Sequence, residues 1–112
     1  MSQSWPPLPR DTGWVAVTSF LNGWSATVPV YYRVLNGVVF WRGVLSGGST
    51  GPCMNIPDRA QPDPASAGSL HWLTNELGST TAGARITAWG LTQFHATAGQ
   101  NPTLAGIIYP AV

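Results

Sequence analysis

Four polar or aromatic side chains fall within six residues of one another: His71, Trp72, Asn75 and Glu76. An indole ring beside an imidazole, a carboxamide and a carboxylate suits a saccharide, because the ring stacks on the apolar face of a pyranose while its neighbours exchange hydrogen bonds with the hydroxyls. Trp89, in another strand-like segment beside a loop, joins them as a candidate, and Arg85 is a weaker one. A plainer reading stands alongside: Leu70 and Trp72 are the inward residues of an ordinary strand and His71 faces water.

Catalytic chemistry finds little material. The chain has four acids, of which Asp58 and Asp63 flank a loop and could pair for glycoside cleavage, but both sit among prolines in a stretch that reads as exposed. His71 and His95 lie in separate segments with no cysteine or acid at ligand spacing, and Cys53 is the sole cysteine, so neither a metal centre nor an internal disulfide is expected. Cys53 reads as a small buried hydrophobe. The expectation is a binding protein with no enzymatic activity, cofactor or metal.

The elements that must carry these residues belong to one domain. The chain has 112 residues, 8% of them charged and 44% hydrophobic, with 13 glycines, ten prolines and six tryptophans. One domain of this size can form a core, and so few charges argue against disorder. All five cations are arginines, and the two nearest, Arg33 and Arg42, are nine positions apart, so no basic stripe is present and nucleic-acid binding is not expected. The N-terminus carries no charged-then-apolar leader and no apolar run approaches membrane-spanning length, so neither this export route nor membrane insertion is expected. With six indoles in so small a domain, some must be partly exposed.

Glycine and proline punctuate the sequence every eight to twelve residues, with Val, Ile, Thr, Tyr and Trp between them. That spacing predicts an all-β fold, an antiparallel β-sandwich or β-barrel of jelly-roll type with about eight short strands and very little helix. Residues 1–12, with Pro6, Pro7 and Pro9, read as a proline-rich arm or linker, and 13–112 as the domain. Strands are expected at 13–21, 28–35, 38–45, 53–56, 69–74, 85–91, 92–96 and 104–109. The strongest local signal is Asn36-Gly37 between two β-rich runs, which predicts a two-residue type I′ hairpin pairing Leu35 with Val38, Arg33 with Phe40, Tyr32 with Trp41 and Tyr31 with Arg42. Alternation then divides the hairpin. Val30, Tyr32, Val34, Val39 and Trp41 form a core face, while Tyr31, Arg33, Leu35, Val38, Phe40 and Arg42 form a second face that mixes arginines with large apolar groups. Such a face suits contact with another subunit, with Tyr31, Arg33, Phe40 and Arg42 at the interface. The alternative is that the two arginines lay their stems over Tyr31 and Phe40 on an exposed sheet.

The order of segments resembles the small β-domain found at the distal ends of tailed-bacteriophage tail fibres, minor tail proteins and baseplate receptor-binding proteins. The residues that carry the resemblance are Asp11-Thr12-Gly13-Trp14, Asn22-Gly23-Trp24, Tyr32-Arg33, and the run Asn36-Gly37-Val38-Val39-Phe40-Trp41-Arg42-Gly43. They continue with Ile56-Pro57, Arg59 and Pro62, and close on Leu104-Ala105-Gly106-Ile107-Ile108-Tyr109-Pro110. Trp14, Trp24 and Trp41 fall in the shared pieces and are expected to be structural. The resemblance implies a virion protein made in the host cytoplasm and acting outside the cell, trimeric about the fibre axis, which recognises polysaccharide or protein on the bacterial surface. Its arm would contact other virion proteins. The alternative is a structural decoration or tail-assembly protein with no receptor-binding role.

Overall fold

The computed structural model describes residues 11–62, 70–75, 82–89 and 92–111, and within 70–75 and 82–89 it describes side chains at Thr74 and Ile86. Among these residues run eight strands: β1 (Val15–Val17), β2 (Ser25–Leu35), β3 (Val38–Ser46), β4 (Gly51–Asn55), β5 (Leu70–Asn75), β6 (Ala82–Trp89), β7 (Gln93–Ala96) and β8 (Ile108–Pro110). The helical element among them is a single 3-10 turn, Asp58–Ala60. The strands form two four-stranded antiparallel sheets, sheet A in the order β1-β2-β3-β8 and sheet B in the order β4-β7-β6-β5. The all-β expectation holds, and the two sheets share one core.

The β2–β3 hairpin forms as its turn dictates. Asn36 and Gly37 have φ values of 51° and 80°, and every pair expected from the two-residue loop is present, from Leu35 with Val38 to Tyr31 with Arg42. Farther from the turn, the register of β2 shifts between Ala26 and Val28 and again between Val28 and Tyr31. Pro29, which has no N–H for a ladder, occupies the second irregularity. Gly43 faces it with φ of 125°. A Cβ there would stand 2.7 Å from both the Pro29 carbonyl oxygen and the Val30 Cα, so the close approach of the strands requires glycine.

The core face of the hairpin, Val30, Tyr32, Val39 and Trp41, is buried, with Val34 packed against it. Trp41 joins the layers. Its ring meets Phe94 of sheet B edge-on at 5.1 Å and Tyr32 at 5.5 Å, and its indole N–H donates to the Tyr109 hydroxyl at 2.9 Å. The Tyr109 hydroxyl in turn donates to the Ala60 carbonyl at 2.6 Å, tying β8 and β3 to the 3-10 turn. Burial raises the Tyr109 phenol well above its usual range. Cys53 is buried as expected, and burial pushes its thiol up to about 12. Trp24 is also structural: its indole N–H donates to the Ser49 carbonyl at 2.8 Å, and its ring covers the face of Gly48.

The structure shortens two expected strands. β1 ends at Val17, because Leu21 donates to the Cys53 carbonyl at 2.9 Å and Trp24 to Leu21 at 3.0 Å, which draws the chain toward β4. At the C-terminal end Leu104 and Ile107 belong to a turn closed by a 3.1 Å bond between them; both side chains plug the core, and continuous pairing with β3 begins at Ile108, after an isolated bridge between Thr103 and Val44. Residues 1–10 of the arm lie outside the described residues. Asp11 and Thr12, assigned to that arm, lie along the end of β2, with the Thr12 N–H bonded to the Val34 carbonyl at 3.0 Å.

Candidate functional site

Sheet B sorts its residues by register into rows that alternate between the two faces. Leu70, Ala88, Phe94 and Met54 lie in one row, and because Phe94 and Met54 are fully buried that row belongs to the core side. The rows on either side are His71, Thr87, His95 and Pro52, and Trp89, Gln93 and Asn55. By strand alternation these occupy the outer face. Among the residues whose side chains are described, these rows bring together Asn55, Gln93 and His95, from positions up to 40 apart in sequence.

Pro52 aside, the described side chains of these rows are polar. Gln93 Nε2 donates to Asn55 Oδ1 at 3.1 Å, an arrangement that keeps the Asn55 amide N–H2 and the Gln93 carbonyl oxygen on the surface as a donor and an acceptor. His95 stands beside them, half-buried, and burial lowers its pKa. Its Nε2 is itself buried, so the open donor and acceptor of the face are those of Asn55 and Gln93. A face of this kind can exchange hydrogen bonds with the hydroxyls of a sugar. Asp58, considered above for acid/base chemistry, is on the exposed 3-10 turn where its carboxylate accepts from Gln61 at 3.3 Å, and Asp63 lies outside the described residues.

Of the sequence-derived candidates, His71 and Trp89 are placed by register on the outer face together with Asn55, Gln93 and His95. Trp72 pairs with Ile86, whose side chain is fully buried. Asn75 follows a register shift after the buried Thr74 and pairs with Ala82. Glu76 lies outside the described residues. Arg85 pairs with Leu73 and shares the alternation of Thr87. Asn55 and Gln93 escaped sequence reasoning, although the alternation Gln93-Phe94-His95-Ala96 carries the signal for one of them.

The second mixed face of the hairpin is the outer face of sheet A. Register aligns Ala16, Tyr31 and Arg42 in one row, Arg33, Phe40 and Ile108 in the next, and Leu35, Val38 and Pro110 nearest the turn. All four residues expected at an interface share this face, and the structure gives both arginines partners within the chain. Arg33 grips Asp11 with two bonds, Nε to Oδ1 at 2.9 Å and Nη2 to Oδ2 at 2.5 Å. Arg33 and the Gly13 N–H hold the Asp11 carboxyl below its usual pKa, and Asp11 raises that of Arg33. Arg42 instead stacks, its guanidinium carbon 4.3 Å from the Trp14 ring centre and 4.9 Å from that of Tyr31. Trp14, expected to be structural, is thus a surface residue, 39% exposed. Ile108, 51% exposed, leaves the Phe40 row open at its β8 end.

No protein-family profile matches the sequence, and no curated protein matches it significantly. Among solved structures it is similar to the receptor binding protein gp15 of Listeria phage PSA, with a TM-score of 0.67 at 21% identity. The alignment covers 94% of this chain and 66% of that one, so the chain spans just under two thirds of the phage protein's length. The fold is therefore that of a phage receptor-binding protein, as the order of sequence segments implied.

Proposed function

We propose that the chain is a non-catalytic virion domain of tail-fibre or minor-tail type that attaches a phage particle to polysaccharide or protein on the bacterial surface. The likeness of nearly the whole chain to a phage receptor-binding protein carries this reading. The outer face of sheet B supplies its chemistry: Asn55, Gln93 and His95 are joined there in register by His71 and Trp89, while Trp72 and Asn75 belong to β5 and Glu76 follows it in sequence. The domain acts as a homotrimer in this reading. Its subunits meet through the rows of Phe40 and Val38 on sheet A, with Arg33 beside them and Tyr31 and Arg42 at the margin. Arm residues would attach the trimer to other virion proteins.

No helix among the described residues is long and apolar enough to cross a membrane. The test is saturable binding of the purified, multivalently presented protein to isolated bacterial cell wall, with Asn55→Ala/Gln93→Ala as the control. A purely structural role in the particle predicts no wall binding at any valency, together with antibody labelling of the capsid or tail tube rather than the tail tip.

A further inference from the structure

Outside the sheet B face, the Arg42 cluster has charge, shape and exposure that the adsorption reading leaves unused. The guanidinium lies over two rings, 4.3 Å from the centre of Trp14 and 4.9 Å from that of Tyr31, and the two cation–π contacts hold it in place. Its N–H groups project from the edge of the same plane. Among the described residues the one ion pair is Asp11 with Arg33, and no described carboxylate pairs with Arg42.

Beside this cation the sheet is hollowed. Ala16 pairs with Tyr31 and has no side chain long enough to fill the row, and β1 stops at Val17 while β2 runs on past it. The result is an apolar groove of about 330 Å³ whose walls include Val17, Phe20, Pro29 and Tyr31. That volume is at the small end of the range for ligand sites. Tyr31 belongs to both the groove wall and the Arg42 stack, so the groove and the cation adjoin at its side chain.

A ligand matched to this surface has an apolar face for the groove and an anionic group for the guanidinium edge. A second copy related by a two-fold axis through this cluster is a poor match, since it would set Arg42 against another Arg42 while Asp11 is committed to Arg33; the trimer contact proposed above centres on the rows of Phe40 and Val38 and leaves the cluster at its margin. We propose that Trp14, Tyr31, Arg42 and the adjoining groove form a second binding site, for a saccharide bearing a carboxylate or phosphate group. The choice of a saccharide rests on the adsorption reading; the choice of an anion rests on the geometry.

The experiment is titration of the intact protein, followed by tryptophan fluorescence and calorimetry at low salt, with three oligosaccharides of equal length: a hexuronic-acid oligomer, a sugar-phosphate oligomer and a neutral glucan. Expected is binding of one or both anionic oligomers at least about tenfold tighter than the neutral one, weakening with salt. Arg42→Gln and Trp14→Ala should each weaken it about tenfold, with far-UV circular dichroism and solution mass unchanged, and Asn55→Ala/Gln93→Ala should leave it intact. Equal binding of the neutral oligomer, or anion binding indifferent to both substitutions, overturns the proposal. So does a fall in solution mass on either substitution, which would place Trp14 and Arg42 inside a subunit contact. Loss of Arg42-dependent binding with wall binding intact removes this site alone, whereas wall binding that fails while the anion site works removes the adsorption reading.

Discussion

Replacing Tyr109 by phenylalanine removes one oxygen from the centre of the fold and orphans two groups. The Tyr109 hydroxyl accepts the Trp41 indole N–H and donates to the Ala60 carbonyl, and all three residues are buried. Phenylalanine fits the same space, so no large cavity or strain obscures the result. A buried polar group left without its partner costs roughly 1–3 kcal/mol, so two of them put the loss at about 2–5 kcal/mol. For a domain of this size each kcal/mol is worth about 4–8 °C, which predicts a fall in melting temperature of about 10 °C or more. Urea unfolding at fixed protein concentration, followed by tryptophan fluorescence and circular dichroism together, measures the change. A Trp41→Phe/Tyr109→Phe cycle should show coupling of about 1 kcal/mol. A Tyr109→Phe protein within about 0.5 kcal/mol of the parent would refute the claim that this relay locks β8 and the 3-10 turn to the core.

Gly43→Ala should cost about 3 kcal/mol or more, because its Cβ meets the Pro29–Val30 backbone at 2.7 Å in a left-handed conformation, and thermal melts of the variant check it. In alkali the folded thiol of Cys53 keeps its proton to about 12 while the unfolded thiol loses it near its ordinary value. Stability is therefore full below about pH 9 and falls as pH rises from there toward 12, by about 1.4 kcal/mol per pH unit, with Tyr109 adding to the loss above about pH 10. A denaturation series should show a flatter limb for Cys53→Ala between pH 9 and 10 despite its lower stability at neutral pH. In acid the sign reverses for Asp11, whose carboxyl is held below its usual pKa by Arg33. The stability it contributes is present above about pH 4 and is lost as pH falls through the folded value, so Asp11→Asn should lose that part of the acid dependence.

The hairpin was legible because its determinants are local. Asn36-Gly37 fixes the turn, the turn fixes the pairs, and the pairs fix which side chains share a face. The same parity identified Tyr31, Arg33, Phe40 and Arg42 as one group, but it could not show that Asp11 and Trp14, two short stretches earlier in the chain, lie over them. The sheet B face was less legible. Its rows depend on pairings between strands 40 or so residues apart, such as Asn55 with Gln93, and on a register shift between Pro52 and Met54 that local patterns do not reveal. A four-residue cluster in sequence, His71 to Glu76, therefore looked like a site on its own. Register pairs His71 with Thr87, in the row of His95, and Trp72 with the buried Ile86.

The most direct test of the account is a binding measurement with the protein displayed at high valency on an array of bacterial surface polysaccharides and wall fragments. The account predicts saturable binding to a defined subset, reduced by Asn55→Ala/Gln93→Ala without loss of the folded state. No binding to any wall or glycan by correctly folded, multivalent protein would contradict it.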